Sequence, residues 1–409
     1  MSRVQISVAD IAAARQRARQ VVKHTPVTTS AALTSLTSSP QANGLIPHGP
    51  IVLKAENLQR TGSFKIRGAM NKLFSLGPAV QAGVTAGSAG NHAQALAFAA
   101  RSFGVPCEIF VPTNAPIAKM AACRAYGATV VESGATLEEA VALAQTRALE
   151  GGLNFCHPYD DPVVVTGQAT LGLELLEDIP DLALVIIPLG GGGLAAGTAL
   201  AIKLQRPEVT VIGVQIDSCA PYVTGEVPPG AVLTLADGIA VKRPGDVTRP
   251  LIEHWLDDIV TVNEDSVADA MMLLMERSKL LVEGAGAVGV SALITGRIKP
   301  SSVGSTCVVL SGGNVDLGVV PGLIRRHETQ SGRRLILFVR VSDRPGGLAR
   351  LLAVFAEAGA SVIDIEHVRE GVDLKVRETG VRAVLEVRSL DHAEEVKIAV
   401  RAAGYTFDS

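Results

Sequence analysis

Short apolar runs recur along the chain, each closed by glycine or a polar turn. The runs Ile51–Lys54, Ala82–Ala86, Cys107–Val111, Ala128–Val131, Leu182–Pro188, Val209–Val214 and Cys307–Leu310 are predicted strands. They are continuously apolar rather than alternating, which fits strands covered on both faces. Between them, Ala-rich or amphipathic stretches at 9–23, 65–76, 93–103, 116–126 and 194–205 are predicted helices. A repeated strand–helix–strand rhythm implies right-handed crossovers and a doubly wound α/β body, with two lobes sharing a cleft. The pattern changes near the C-terminus. Strands at 335–341, 361–368 and 381–388, an edge strand at 405–407, and helices at 346–358 and 391–402 give the order β-α-β-β-α-β of a ferredoxin-like domain. The polar stretch 327–334 is the expected linker, dividing the chain into 1–326 and 335–409.

Composition narrows the partners. The 409 residues are 47% hydrophobic but only 3% aromatic, so the core is built from Ala, Val, Leu and Ile. A net charge of −3 with no basic block gives no electrostatic case for nucleic acid or an anionic membrane surface. No apolar run is long and charge-free enough to span a bilayer, and the N-terminus does not read as a signal peptide. Five scattered cysteines, an odd number without a CxxC pair, are expected to be free thiols in the cytoplasm. No His/Cys spacing suggests zinc.

Candidate chemistry centres on Lys65, in Gln59-Arg60-Thr61-Gly62-Ser63-Phe64-Lys65-Ile66-Arg67-Gly68-Ala69. A partly desolvated lysine has a lowered pKa and attacks carbonyl groups. The bland alternative is an inert, solvated lysine at a turn. Gly190, Gly191, Gly192 and Gly193 lie between a predicted strand and a predicted helix, where backbone N–H groups and the helix dipole converge on an anion. This favours a phosphate over a merely flexible turn, and the pattern is neither GxGxxG nor a P-loop. Ser88-Ala89-Gly90-Asn91-His92 has similar placement. Its helix start suits a carboxylate and Asn91 suits a ring hydroxyl, while ordinary helix capping explains it equally well. His92 reads as structural rather than as a base. Ser311 offers a hydroxyl suited to a pyridine nitrogen, or simply forms a turn. Asp343-Arg344-Pro345-Gly346-Gly347-Leu348 is either a small-molecule site or a plain strand-to-helix turn. Together these segments point to pyridoxal phosphate, an aldehyde whose ring serves as an electron sink.

The segments KAENLQRTGSFKIRGA (54–69), SAGNHAQ (88–94), PLGGGGLAAG (188–197), LADG (235–238) and SGGN (311–314) resemble the threonine dehydratase (threonine ammonia-lyase) family over about residues 5–325. DRPGGLARLL (343–352) resembles an ACT domain. The resemblance implies a fold-type II, tryptophan-synthase-β-like body, its smaller lobe (roughly 54–155) inserted in the larger, followed by an ACT regulatory domain. It implies pyridoxal 5′-phosphate as cofactor and dehydration of L-threonine to 2-oxobutanoate and ammonia, with L-serine as a secondary substrate. In that reading Lys65 forms the Schiff base and Phe64 packs on the ring. Asn91 bonds the ring hydroxyl, and Gly190, Gly191, Gly192, Gly193 and Leu194 cradle the phosphate. Ser311 meets the ring nitrogen and Gly238 lines the other side. Ser63, Ser88, Ala89, Gly90, Asn91 and His92 surround the substrate carboxylate. Asp343, Arg344, Gly346, Gly347 and Leu348 contact an amino-acid effector, and the chain forms a homo-oligomer, dimer or tetramer.

Two positions depart from the serine racemases, close relatives of this family. Ala89 stands where they carry a serine that moves a proton, which argues against racemisation. Gln215 stands where they carry a metal-binding carboxylate, and an amide is a weaker ligand for a hard cation. The alternatives are a serine dehydratase or serine racemase of the same fold, a non-catalytic amino-acid sensor and a nicotinamide-dependent oxidoreductase. The intact Lys65 speaks against the sensor, and the missing GxGxxG against the oxidoreductase.

Overall fold

Three strands that lie far apart in sequence are neighbours in space, and that adjacency builds the site. The computed structural model describes residues 5–38, 40–41, 44–45, 48–113, 115, 117–370 and 374–408. The chain divides into two compact units, Met1–Asp316 and Leu317–Ser409.

The larger lobe of the first unit holds a six-stranded sheet in the order Val27–Thr29, Ile51–Lys54, Ser305–Val309, Leu182–Pro188, Thr210–Ile216, Asp258–Val262. Only Val27–Thr29 runs antiparallel to its neighbour. The last of these strands in sequence, Ser305–Val309, is inserted between Ile51–Lys54 and Leu182–Pro188. The segments after these three strands carry Lys65, Ser311 and the four glycines, so all leave the same sheet edge, where open α/β sheets bind ligands. The smaller lobe has a parallel sheet ordered Thr129–Glu132, Cys107–Val111, Val84–Gly87, Asn154–Phe155. Each sheet has its own aliphatic core, the second rich in alanine from helix Asn91–Phe103.

Around Arg67 lies an ionic network that is buried except at Asp178. The Arg67 guanidinium forks onto Glu56 (2.7 Å from Nε and from Nη2) and onto Glu174 (2.7 and 2.9 Å). Lys54 Nζ lies 2.8 Å from Glu174 and 2.9 Å from Asp178. These contacts join strand Ile51–Lys54, helix Lys65–Ser75 and helix Pro162–Asp178. The two helices approach closely: a Cβ at Gly167 would sit 2.6 Å from the Arg67 carbonyl oxygen.

The second unit has an antiparallel sheet ordered Ser361–Val368, Glu378–Glu386, Arg334–Ser342, Thr406–Asp408, with helices Gly347–Glu357 and Leu390–Ala402. This is the expected β-α-β-β-α-β order.

Several expected boundaries move. The first helix ends at Ala18 rather than 23. The strand expected at 82–86 is Val84–Gly87, because Gly77–Ala82 forms short helical turns closed by Gly83 at φ 92°. The helix expected at 116–126 is Ile117–Ala125, residue 116 lying outside the described residues. The expected linker 327–334 is irregular only at 331–333: 327–330 is the last turn of helix Val320–Gln330, and strand Arg334–Ser342 starts four residues later. That helix belongs to the second unit, so the division falls at 316/317 rather than near 327. Its polar exposed face hides it in the sequence, since only Leu323 is buried.

Candidate active site

Lys65 opens helix Lys65–Ser75, directly after the loop Arg60–Phe64. The loop is knitted to the turn after Ser305–Val309. Phe64 N–H donates to the Ser311 carbonyl (3.1 Å), Gly313 N–H donates to the Gly62 carbonyl (2.9 Å), and Ser63 bridges Gly312. Two segments nearly 250 residues apart thereby become one wall. Lys65 Nζ donates to the Pro158 carbonyl at 2.9 Å and lies 5.1 Å from the centre of the Phe64 ring. Desolvation lowers the amine to about 8, although Glu283 pulls it upward. Lys54 and Lys72, by contrast, are tied to carboxylates.

The four glycines follow strand Leu182–Pro188 and lead into helix Gly193–Lys203. Gly192 adopts φ 93°, which favours glycine. A Cβ on Gly191 would sit 2.3 Å from the Tyr159 ring. The turn is thus both a helix N-terminus and a surface stripped of side chains. Leu194 is buried in the core behind it.

Helix Asn91–Phe103 starts two residues earlier than expected, and the capping alternative for its start does not hold. The residue at the cap is Gly90, and the Asn91 side chain is committed elsewhere. Its Nδ2 donates to Glu283 Oε1 at 2.7 Å, and its Oδ1 accepts from Asn314 Nδ2 at 2.7 Å. His92 is buried with its Nε2 2.9 Å from the Cys156 carbonyl. Burial and the Lys65 charge push the ring to about 3, so it stays neutral and is no base. Ser88 Oγ accepts from Gly90 N–H at 3.3 Å, and Ala89 is partly buried against the smaller-lobe core. Gly238 faces Glu283: a Cβ there would lie 3.5 Å from Oε1.

Sequence reading missed Glu283. It is 5% exposed, and burial together with nearby Asp237 raises its carboxyl to about 7, against the pull of Asn91, Lys119 and Lys65. The signal is present as a single acid in the apolar, Gly/Ala-rich run Leu280–Val290. Nothing local marks Tyr159 or Pro158, and Asn314, though it closes the SGGN segment, shows no role there until its side chain is seen in place.

The site fits pyridoxal phosphate on three counts. It holds an amine with no carboxylate in hydrogen-bonding contact, a four-glycine turn at a helix start with no room for a Cβ, and Ser63, fully buried with an unpartnered Oγ. Gln215 is buried with its amide engaged, Nε2 donating to the Leu189 carbonyl (3.3 Å) and Oε1 accepting from Tyr222 N–H (3.1 Å). Among the described residues no cluster of three or more His, Cys, Asp or Glu is placed to hold a metal, and no helix is long and apolar enough to cross a membrane.

In the second unit, a cavity of about 500 Å³ opens at the turn before helix Gly347–Glu357. Asp343, Arg344, Gly346, Gly347 and Leu348 all line it, and Arg369 pairs with Asp343 at 2.9 Å.

The family described as pyridoxal-phosphate dependent enzyme matches residues 27–312, and the ACT domain family matches residues 335–400. The L-threonine ammonia-lyase of Thermotoga maritima is 41% identical, with 98% of each chain covered. That of Geobacter sulfurreducens is 45% identical over 88% of this chain and 90% of the relative. Among solved structures, the processed form of threonine deaminase isoform 2 from Solanum lycopersicum is 31% identical at a TM-score of 0.70, covering 78% of this chain and 86% of that one. Maize serine racemase is 32% identical at a TM-score of 0.71, covering 79% and 98%.

Proposed function

The chain belongs to the pyridoxal-phosphate-dependent enzymes and carries a C-terminal ACT domain, and we propose that it is an L-threonine ammonia-lyase with L-serine as a secondary substrate. The observation that carries this reading is Lys65. It is a desolvated amine with no carboxylate bonded to it, set at the edge of the sheet where the Ser311 turn and the four glycines also emerge.

When bound, pyridoxal 5′-phosphate supplies an electron-withdrawing ring that acidifies the substrate's Cα–H. Lys65 Nζ takes that proton as general base, its lowered pKa leaving free amine available near neutral pH. The N–H groups of Gly190–Gly193 would hold the phosphate at the start of helix Gly193–Lys203, where the dipole favours an anion. Ser63 and the N-terminus of helix Asn91–Phe103 receive the substrate carboxylate. Ser311 offers the ring nitrogen a hydroxyl rather than a carboxylate. A hydroxyl there would leave that nitrogen unprotonated and the ring a weaker electron sink, which would favour loss of the β-hydroxyl over reprotonation. Ala89, which by the resemblance takes the place of the racemases' proton-moving serine, has a methyl group that cannot move a proton, which also favours elimination over racemisation. Loss of water leaves an enamine, and hydrolysis of its imine tautomer by a water molecule releases ammonia and gives 2-oxobutanoate from threonine or pyruvate from serine. The buried free thiols agree with a reducing compartment, and we place the enzyme in the cytoplasm.

Incubation of the cofactor-loaded enzyme with each amino acid tests the reading. 2-Oxobutanoate should form faster than pyruvate, and chiral analysis should find no D-serine. Predominant D-serine would favour the racemase alternative.

The ACT cavity is the proposed effector site. Its Gly346 and Gly347 backbone and the helix start suit a carboxylate, and Asp343 suits an amino group. Removing 317–409 should leave an active lyase, because every proposed catalytic residue precedes that unit. It should abolish any response to branched-chain amino acids. Such couplings are typically about 5–150-fold in affinity. A truncated enzyme still regulated by the same amino acid would contradict this division.

A further inference from the structure

We propose that Glu283 and Asn314 are positioning residues that fix which end of the Asn91 amide is presented to the cofactor, so that Asn91 offers an N–H and not its oxygen. The proposal rests on the assignment of Asn91 to the cofactor's ring oxygen made above.

The orientation follows from a backbone carbonyl that can only accept. Asn314 has an amide atom 2.7 Å from the Thr61 carbonyl oxygen, so that atom is Nδ2. The same nitrogen lies 2.7 Å from the Asn91 amide and donates its second hydrogen there, so the facing atom of Asn91 is Oδ1. The other end of Asn91 is therefore Nδ2, and it meets Glu283 Oε1 at 2.7 Å. One of its two hydrogens goes to Glu283. The second is left for a ligand. Amide orientation is ordinarily an assignment from the surrounding network, and here the network is anchored at the Thr61 carbonyl.

The backbone is shaped to admit this chain of hydrogen bonds. Thr61 is at φ 59°, one of only two non-glycine residues with positive φ among the described residues. Strain of this kind gathers at functional sites. A Cβ on Gly62 would lie 2.3 Å from Asn314 Oδ1, and a Cβ on Gly312 would lie 2.3 Å from Glu283 Oε1. Both glycines clear space for the polar groups. Glu283 is further fixed by its own N–H donating to the Gly312 carbonyl at 3.0 Å. Lys65, Lys119 and Asp237 are the charged groups acting on its carboxyl. An N–H aimed at the ring oxygen stabilises that oxygen in its ionised form.

The test uses Glu283→Leu, which cannot accept from Asn91, and Asn314→Asp, which as a carboxylate cannot donate to Thr61 or Asn91. Glu283→Gln is the conservative control, since its amide oxygen still accepts. Apoenzyme is titrated with pyridoxal 5′-phosphate, and the visible absorbance of each loaded protein is followed against pH. Losing a hydrogen bond to a charged group should weaken cofactor binding about tenfold or more in the Leu and Asp variants. It should move their absorbance midpoint by about one pH unit or more. Glu283→Gln should bind within a few-fold of the parent. If the Leu and Asp variants bind and titrate like the parent and only melt earlier, the two residues are merely structural and the proposal is overturned. If Glu283→Leu does not fold, Asn314→Asp decides alone. A parent that takes up no cofactor overturns the functional reading and this inference with it.

Discussion

Lys65→Ala should abolish 2-oxobutanoate formation, lowering turnover by at least about a thousandfold. The side chain is proposed both to bind the cofactor and to move the Cα proton, so two functions are lost at once. No neighbouring lysine replaces it. Lys54 and Lys72 are held by Glu174, Asp178 and Asp161, and Lys119 is paired with Asp237 at 2.8 Å. The fold should survive, because the ammonium makes one hydrogen bond, to the Pro158 carbonyl. The measurement is product release together with a thermal melt. Substantial turnover in a variant that melts like the parent would remove Lys65 from the mechanism.

Arg67→Ala should have the opposite profile, a large loss of stability without direct loss of a reacting group. The substitution strands Glu56 and Glu174, both buried, without their shared guanidinium. Removing one partner of a buried ion pair costs about 3–5 kcal/mol. Denaturant melts of the two proteins measure the difference. Its pH dependence has a definite sign. Burial alone would raise the Glu174 carboxyl, but Arg67 and Lys54 hold it at about 2, below its ordinary 4.5. In the parent this contribution is fully present above pH 4.5 and is lost as pH falls toward 2. In the variant Glu174 keeps Lys54 but loses the guanidinium, so less of the stability depends on its ionisation and the gap between the proteins should narrow in acid. A gap that stayed constant from neutral pH down to about pH 3 would mean the network is energetically silent.

The network also explains why Lys65 is where it is. Arg67 lies two residues beyond Lys65, on the same first turn of the helix. Its two carboxylate partners clamp that turn to the Glu56 loop and to helix Pro162–Asp178. Glu56 and Arg67 both fall inside the segment that marks the family, yet their pairing is invisible there. Glu174 comes from a helix about a hundred residues later.

Much of this protein is determined by its sequence read alone. Continuous apolar runs cannot sit at a wet surface, so a covered parallel sheet follows from them. A four-glycine turn between strand and helix has few uses other than close approach, and Lys65, Asn91 and Ser311 stand in segments specific enough to suggest one cofactor. Local patterns have local reach, however. The helix Val320–Gln330 reads as linker because its buried stripe is a single leucine. Asn91 looks like a possible helix cap until its amide is seen between Glu283 and Asn314. Glu283 itself, a lone acid in an apolar run, gives no hint of its partner 192 residues away. Which buried charges meet, and which way a buried amide points, depends on groups that only the folded chain brings into hydrogen-bonding reach. Those choices are made by tertiary structure, because a polar group leaving water must find its partner wherever the fold supplies one.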